Sequence, residues 1–247
     1  MSSLYSEICD GPGFTIIEFL SPEQLTQVRE LVTDHFNKVV AANNSREEFV
    51  SLPSLSNYHT LRLSANHGTL WTKTNRIFPN SHFLRFLAIS SFFQRFSELA
   101  NLSITDEDNL GYGNVYWRLV RPFQDADVGP LHRDQWFWSL NDHHMMPTGT
   151  NTRIKLWAPL FSDLGKNGLL VEPFSHSRDD IEWVGELRHG IQKPVLLTDP
   201  SSFNLELLHI QPGQAILFHD RLIHGGALNQ SDEQTRVSIE LTLAFDL

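Results

Sequence analysis

The feature that most constrains how this chain can fold is a change of pattern near residue 109. Before it, apolar residues recur at helical spacing. After it, short strand-like runs over 114–120, 135–140, 152–160, 168–172, 193–197, 207–211, 214–218 and 236–245 alternate with turns rich in Pro, Gly and Asn. About eight short strands following a helical region predict a mostly-β fold: a jelly roll, or double-stranded β-helix, backed by N-terminal α-helices. At 247 residues the chain is expected to form a single domain over 1–247, with a strand-plus-helix support region over 1–108 and the jelly-roll core over 109–247.

The support region can be read in some detail. Gly13 to Leu20 reads as a strand. Ser21-Pro22-Glu23-Gln24 then has the form of a helix start, with Ser at the N-cap, Pro at the first helical position and Gln at the capping-box position. Leu25, Val28, Leu31, Val32, Phe36, Val39 and Val40 follow at helical spacing, predicting a helix over 21–42 that lays its apolar stripe on a sheet. Residues 70–78 read as helical up to Pro79. A second long helix is expected over 80–100, burying Phe83, Leu84, Leu87, Phe92, Phe93, Phe96 and Leu99.

Composition removes several classes of function. A formal charge of −10 and the lack of a basic run argue against nucleic acid as a partner. No apolar run approaches the eighteen or so residues of a membrane span, and the N-terminus lacks the pattern of a secretory signal. The one cysteine, Cys9, rules out an internal disulfide and a Cys-rich zinc site. The expectation is a cytoplasmic protein acting on a small molecule.

Two stretches in the β-rich part carry chemistry: Leu131-His132-Arg133-Asp134-Gln135-Trp136, and Phe218-His219-Asp220-Arg221-Leu222-Ile223-His224-Gly225-Gly226. In extended backbone, positions i and i+2 point the same way, so His132 and Asp134 can reach one ion while Arg133 turns aside. With twelve histidines in the chain, a His-x-Asp alone is weak. It gains weight because His224 closes another strand-like run and because Arg236 and Ser238 open the last one on a common face. Two His and one carboxylate form the facial ligand set of mononuclear non-haem Fe(II) oxygenases, and the arginine beyond them suits an anionic co-substrate. The competing reading is a non-catalytic, cupin-like metal- or ligand-binding jelly roll. Cupins crowd His-x-His and a Glu onto one strand, which this chain lacks.

From end to end the sequence resembles the phytanoyl-CoA dioxygenase-like family. The resemblance rests on the strand and Leu-Ser-Pro-Glu helix entry within Gly13 to Val32, and on Ile154-Lys155-Leu156-Trp157-Ala158-Pro159-Leu160. It continues in Asn167-Gly168-Leu169-Leu170-Val171-Glu172-Pro173-Phe174-Ser175-His176, with Phe174 where the family often has Gly. It implies Fe(II) as metal, 2-oxoglutarate and O2 as co-substrates, and release of succinate and CO2. His132, Asp134 and His224 match the iron ligands. Arg236, twelve residues beyond His224, matches the arginine that binds the distal carboxylate of 2-oxoglutarate, and Ser238 is similar to its partner in related oxygenases. Halogenating relatives replace the carboxylate ligand with a small residue; Asp134 therefore implies hydroxylation or a related oxidation of a small polar or anionic molecule.

Further candidates follow from period-two facing. Arg153, Lys155 and Trp157 share one face of 152–160, with Lys155 a candidate for binding 2-oxoglutarate or an anionic substrate. Tyr116 and Arg118 share one face of 114–120. Trp136, Tyr116 and Trp157 are candidate substrate contacts. His143, His144, Met145 and Met146 read as a segment between strands that could cover the site, and His176 and His219 as structural histidines.

Overall fold

The architecture was obtained as a computed structural model and is described for residues 2–43, 54–93, 101–141, 152–188 and 190–246. Helix α1 (Ser2–Cys9) leads into strand β1 (Phe14–Glu18), which is followed by the long helix α2 (Pro22–Asn43). The Ser21/Gln24 capping box forms as its sequence demands: Ser21 N–H donates to Gln24 Oε1 and Gln24 N–H to Ser21 Oγ. Two short 3-10 segments occupy 55–60 and 62–66, and helix α3 spans Asn80–Ile89. Residues 70–78 do not form the single helix expected. A four-residue helical turn ends at Leu70, and Ile77 pairs with Tyr116 in a β-bridge. The helix expected over 80–100 is broken at Ser90, whose backbone is extended, and Leu84, expected to be buried, is 57% exposed; the part beyond Phe93 lies outside the described residues.

The remaining strands are β2 (Asn101–Ile104), β3 (Tyr116–Val120), β4 (Thr152–Phe161), β5 (Leu169–Val171), β6 (Trp183–Arg188), β7 (Ile191–Leu196), β8 (Glu206–Leu207), β9 (Gln214–His219), β10 (His224–Gly226) and β11 (Arg236–Asp246). The large sheet has the order β1-β9-β4-β11-β2, with β3 also paired to β11. A smaller sheet has the order β10-β5-β8, and β6 and β7 form a separate hairpin. The expected jelly-roll architecture is thus present, with its helices on the outside of the large sheet.

One expected strand is a helix. Residues 135–140 lie in α4 (Asp134–Asn141). Their alternating aromatics imitate a strand, but an acidic residue in the first turn suits a helix N-terminus. Burial follows the helix too: Trp136 enters a cluster with Ile181, Phe203 and Ile223, and Leu140 meets Gly185 of β6.

Period-two alternation divides the large sheet sharply. Trp117 and Leu119 of β3, Ile154, Leu156, Ala158 and Leu160 of β4, Ala215 and Leu217 of β9, and Val237, Ile239, Leu241 and Leu243 of β11 all join the core with Leu25, Val28, Leu31, Val32 and Phe36 of α2. Their neighbours in sequence therefore face the interior of the roll. That inner surface has two halves. Trp157, Ile216 and Phe218 pack with Leu169, Val171, Leu208, Ile210 and Leu222 into an apolar half. Tyr116, Arg118, Lys155, Glu240 and Thr242 make the other half polar.

Candidate metal centre and 2-oxoglutarate site

The two histidines are brought together by backbone, not by side-chain chemistry. His132 N–H donates to the His224 carbonyl at 2.9 Å, and His224 N–H returns a bond to the His132 carbonyl at 3.0 Å, an isolated antiparallel bridge. Pairing of His224 with Val171 fixes β10 on the small sheet. Asp134 is delivered by the start of α4, where Gln135 N–H donates to the Asp220 carbonyl at 3.1 Å.

The ligand atoms converge. His132 Nε2 lies 3.6 Å from Asp134 Oδ1, and His224 Nε2 lies 3.5 Å from Asp134 Oδ2. All three groups offer atoms within 4.8 Å of one another. These separations are too long for good hydrogen bonds and suit donors that share a central ion. The far ring nitrogens are held by backbone carbonyls, His132 Nδ1 at 2.9 Å from Pro130 O and His224 Nδ1 at 2.9 Å from Leu222 O. Such bonds place the proton on Nδ1 and leave the Nε2 lone pair for a metal. Asp134 Oδ2 is buried without a hydrogen-bond partner among the described residues, which a cation would remedy. The donor set therefore fits a divalent ion with open positions.

Electrostatics agree. Burial would raise the Asp134 pKa, but Lys155 and the two imidazoles outweigh it and hold the carboxyl below its ordinary range. Burial, with His132 nearby, lowers His224 to about 4, so its imidazole is neutral and able to ligate. For Lys155, burial lowers the pKa, but Asp134, Glu107 and Glu240 outweigh it and keep the ammonium charged.

Arg236 is 2% exposed. Its Nη1 donates to the Gly168 carbonyl at 2.5 Å, its guanidinium lies 5.7 Å from the centre of the Trp157 ring, and its Nε has no partner. Burial and the charge of Arg118 lower it to about 10, so it stays cationic at neutral pH. A Cβ on Gly226 would meet Val128 Cγ1 at 3.3 Å and lie 3.6 Å from Arg236 Nη2, so the end of β10 runs beside the guanidinium. Ser238, 1% exposed, follows two residues along β11. The buried guanidinium with an unused donor is a fitting anchor for a carboxylate.

Lys155 faces the interior opposite Thr242, to which its ammonium donates at 3.0 Å, with Glu107 at 3.8 Å. Tyr116 also faces inward, donating to Asp108 at 2.8 Å. Trp157 is 4% exposed and packs beneath Arg236 in the apolar half, a platform for the arginine. Trp136 departs from expectation. It is 2% exposed and stacks on Trp183 at 5.2 Å in a cluster outside the roll's interior, so it packs α4 against β6. The reason is the helix: a turn of 100° per residue sends Trp136 away from Asp134, where a strand would have sent both to one side. Of the two histidines expected to be structural, His176 Nε2 lies 3.1 Å from the Cys9 carbonyl and His219 Nδ1 2.9 Å from Asp220 Oδ1. His143 to Met146 lie outside the described residues. Sequence reasoning missed Arg76, Glu107 and Glu240. Glu240 continues the Arg236–Ser238 period and was findable on that ground; Arg76 ends a short 3-10 segment and Glu107 lies in a turn, and neither carries a local signal.

The sequence profile of the phytanoyl-CoA dioxygenase (PhyH) family matches residues 10–238. The chain belongs to the phytanoyl-CoA dioxygenase family. The family's enzymes use Fe(II), 2-oxoglutarate and O2. No curated protein matches the chain significantly. Among solved structures, EvdO2 from Micromonospora carbonacea var. aurantiaca complexed with 2-oxoglutarate is similar at a TM-score of 0.52 and 17% identity, over 99% of this chain and 91% of that one. The epimerase SnoN in complex with Fe3+, alpha ketoglutarate and nogalamycin RO is similar at 0.54 and 12%, over 98% and 82%. EctD from S. alaskensis with 2-oxoglutarate and 5-hydroxyectoine is similar at 0.52 and 15%, over 98% and 74%. At these identities the likeness concerns the fold. Membership of the family, with the His132, Asp134 and His224 cluster, makes this chain an Fe/2-oxoglutarate-dependent enzyme.

Proposed function

We propose that this phytanoyl-CoA dioxygenase family member hydroxylates a small polar or anionic molecule, with release of succinate and CO2. The observation that carries the reading is the convergence of the His132 and His224 Nε2 atoms on the two oxygens of Asp134, of which Oδ2 has no hydrogen-bond partner among the described residues, in the same interior as a buried arginine with an unused donor. His132, Asp134 and His224 would hold the metal. Arg236 would bind the distal carboxylate of 2-oxoglutarate, with Ser238 beside it and Trp157 as its floor. Lys155, whose charge is coupled to Asp134, would face the metal-chelating end of the co-substrate or the substrate itself. Tyr116 would line the substrate side. When bound, Fe(II) would let O2 act as the oxidant, one oxygen atom passing to succinate as 2-oxoglutarate gives up two electrons and CO2, and the other replacing a C–H bond of the substrate by C–OH. The protein's residues orient both partners, neutralise their carboxylates and keep bulk water from the reacting centre. A cytoplasmic setting accords with the lone Cys9; among the described residues no helix is long and apolar enough to cross a membrane.

The test is anaerobic addition of Fe(II) with and without 2-oxoglutarate, followed by visible absorbance. The expected result is a weak charge-transfer band that requires both. In Arg236→Met the band should be lost at 2-oxoglutarate concentrations that saturate the wild type, while Fe(II) binding persists. Iron bound with no band in the wild type would leave a metal-binding module. That module would have no use for a buried guanidinium beside the metal.

A further inference from the structure

The polar half of the interior contains a feature that metal and 2-oxoglutarate binding leave unexplained. Arg118 of β3 and Glu240 of β11 both face inward, with Arg118 Nη2 3.5 Å from Glu240 Oε1. Tyr116 lies directly across from Glu240 in register, and the Ile77–Tyr116 bridge brings Arg76 to the same edge. Arg76 donates only its Nε, to the Trp71 carbonyl at 3.0 Å; among the described residues its two Nη groups have no partner. The one carboxylate at this edge is thus paired with Arg118, and Arg76 is left without an ion pair among the described residues. Lys155 is matched separately by Glu107, and Lys73 by Asp108.

One cation is in excess at this edge. Burial lowers Arg76 to about 10, and Arg118 contributes to the lowering while Glu240 opposes it. A half-buried arginine with unspent donors and a like charge beside it costs free energy until an anion arrives. The edge is also accessible, since the side chains of Arg118 and Glu240 are 33% and 27% exposed. It adjoins the arginine anchor: Glu240 lies across from Trp157 in register, and the Trp157 ring lies beneath Arg236.

We propose that Arg76 and Arg118 form an oxyanion subsite for the primary substrate, which carries a carboxylate or phosphate group there, while Glu240 accepts a hydrogen bond from a hydroxyl or ammonium group of the same molecule. This deepens the oxygenase reading and rests on it. The planar guanidinium fork suits two-point recognition of an oxyanion. A wholly apolar acyl chain would strand all three charges and is disfavoured against this wall.

The experiment is isothermal titration of the anaerobic Fe(II)–2-oxoglutarate protein with 4-hydroxybutyrate and its primary amide, with glucuronate and glucose, and with glucose 6-phosphate. The expected result is binding of at least one acid, with its neutral counterpart at least tenfold weaker. Binding of glucuronate or 4-hydroxybutyrate would identify a carboxylate as the group read; binding of glucose 6-phosphate alone would identify a phosphate. Arg76→Gln should weaken the bound acid about tenfold and leave 2-oxoglutarate affinity, read from the charge-transfer band, within twofold. Glu240→Gln removes the internal competitor for Arg118 and should tighten the acid group's binding, by about threefold for a probe without a donor, such as butyrate. A merely structural ion pair would not show that gain. Absence of binding by every acid at millimolar concentration, equal binding of acid and neutral forms, or an unchanged affinity in Arg76→Gln would each overturn the proposal. None of these results would touch the oxygenase reading, which fails if the wild type binds Fe(II) and gives no band with 2-oxoglutarate.

Discussion

Asp134 shows how one side chain can be set up by three neighbours. Its own helix places it, Lys155 and the imidazoles keep it ionised, and no hydrogen bond spends its second oxygen. Asp134→Asn keeps the size and removes the charge. The expected outcome is Fe(II) affinity reduced by more than tenfold, measured by anaerobic titration, with a lower urea midpoint for the metal-free protein at neutral pH, because the carboxylate that Lys155 compensates has been removed. Trp157 is a different case. Its ring is a floor under Arg236 and part of the inner apolar cluster, so Trp157→Ala should cost roughly 3–5 kcal/mol in chemical denaturation and weaken 2-oxoglutarate binding in whatever protein remains folded. The convergence of His132, Asp134 and His224 was legible in the sequence, because spacing, strand ends and family resemblance pointed to the same side chains. Trp136 was not, because its role depends on whether the residues after Asp134 turn as a helix or extend, and alternating aromatics suit either.

At the scale of elements, length decided what could be read. The long helix α2 and strands β4, β9 and β11 repeat their periods often enough to stand out. Of the hairpin, β7 overlaps the strand expected over 193–197, whereas β6 is largely exposed, with Leu187 at 69%, and has little buried face to write a pattern. Strand β10 has only three residues, two of them glycine; it exists because His132 and Val171 offer backbone to pair with. Gly13, between α1 and β1, is another element-scale device. Its φ is +95°, its carbonyl accepts from His219 N–H, and a Cβ there would meet His176 Nδ1 at 2.6 Å and Leu222 Cδ1 at 2.8 Å. Gly13→Ala should destabilise the fold by about 1–3 kcal/mol, read as a lower urea midpoint with little change in m-value.

For the whole molecule, acid stability is set by histidines far from the metal. His35 is buried between α2 and β3, where Trp117 Nε1 donates to its Nδ1 at 2.9 Å; burial, helped by His82 and Lys38, lowers its pKa to about 4. His67 is lowered to about 4 as well, burial outweighing the attraction of Asp127. Unfolded histidines titrate near 6.5, so between about pH 6.5 and 4 the unfolded chain binds protons that the folded one refuses. Stability should therefore be full above about pH 6.5 and fall as the pH drops toward 4, by up to roughly 1.4 kcal/mol per pH unit for each histidine. Urea titrations at several pH values check this; His35→Gln should flatten the slope, and an unchanged slope would mean His35 takes up its proton in the folded state.

The two faces of the large sheet have a consequence for how such an enzyme can change. Odd positions of β11 hold the helices, and even positions hold the chemistry. A substitution at Arg118, Glu240 or Thr242 alters what the interior recognises without touching a methyl group of the outer core. Appetite for a new substrate and loss of the fold are thus nearly independent events in sequence space, and a lineage can explore the first with little exposure to the second.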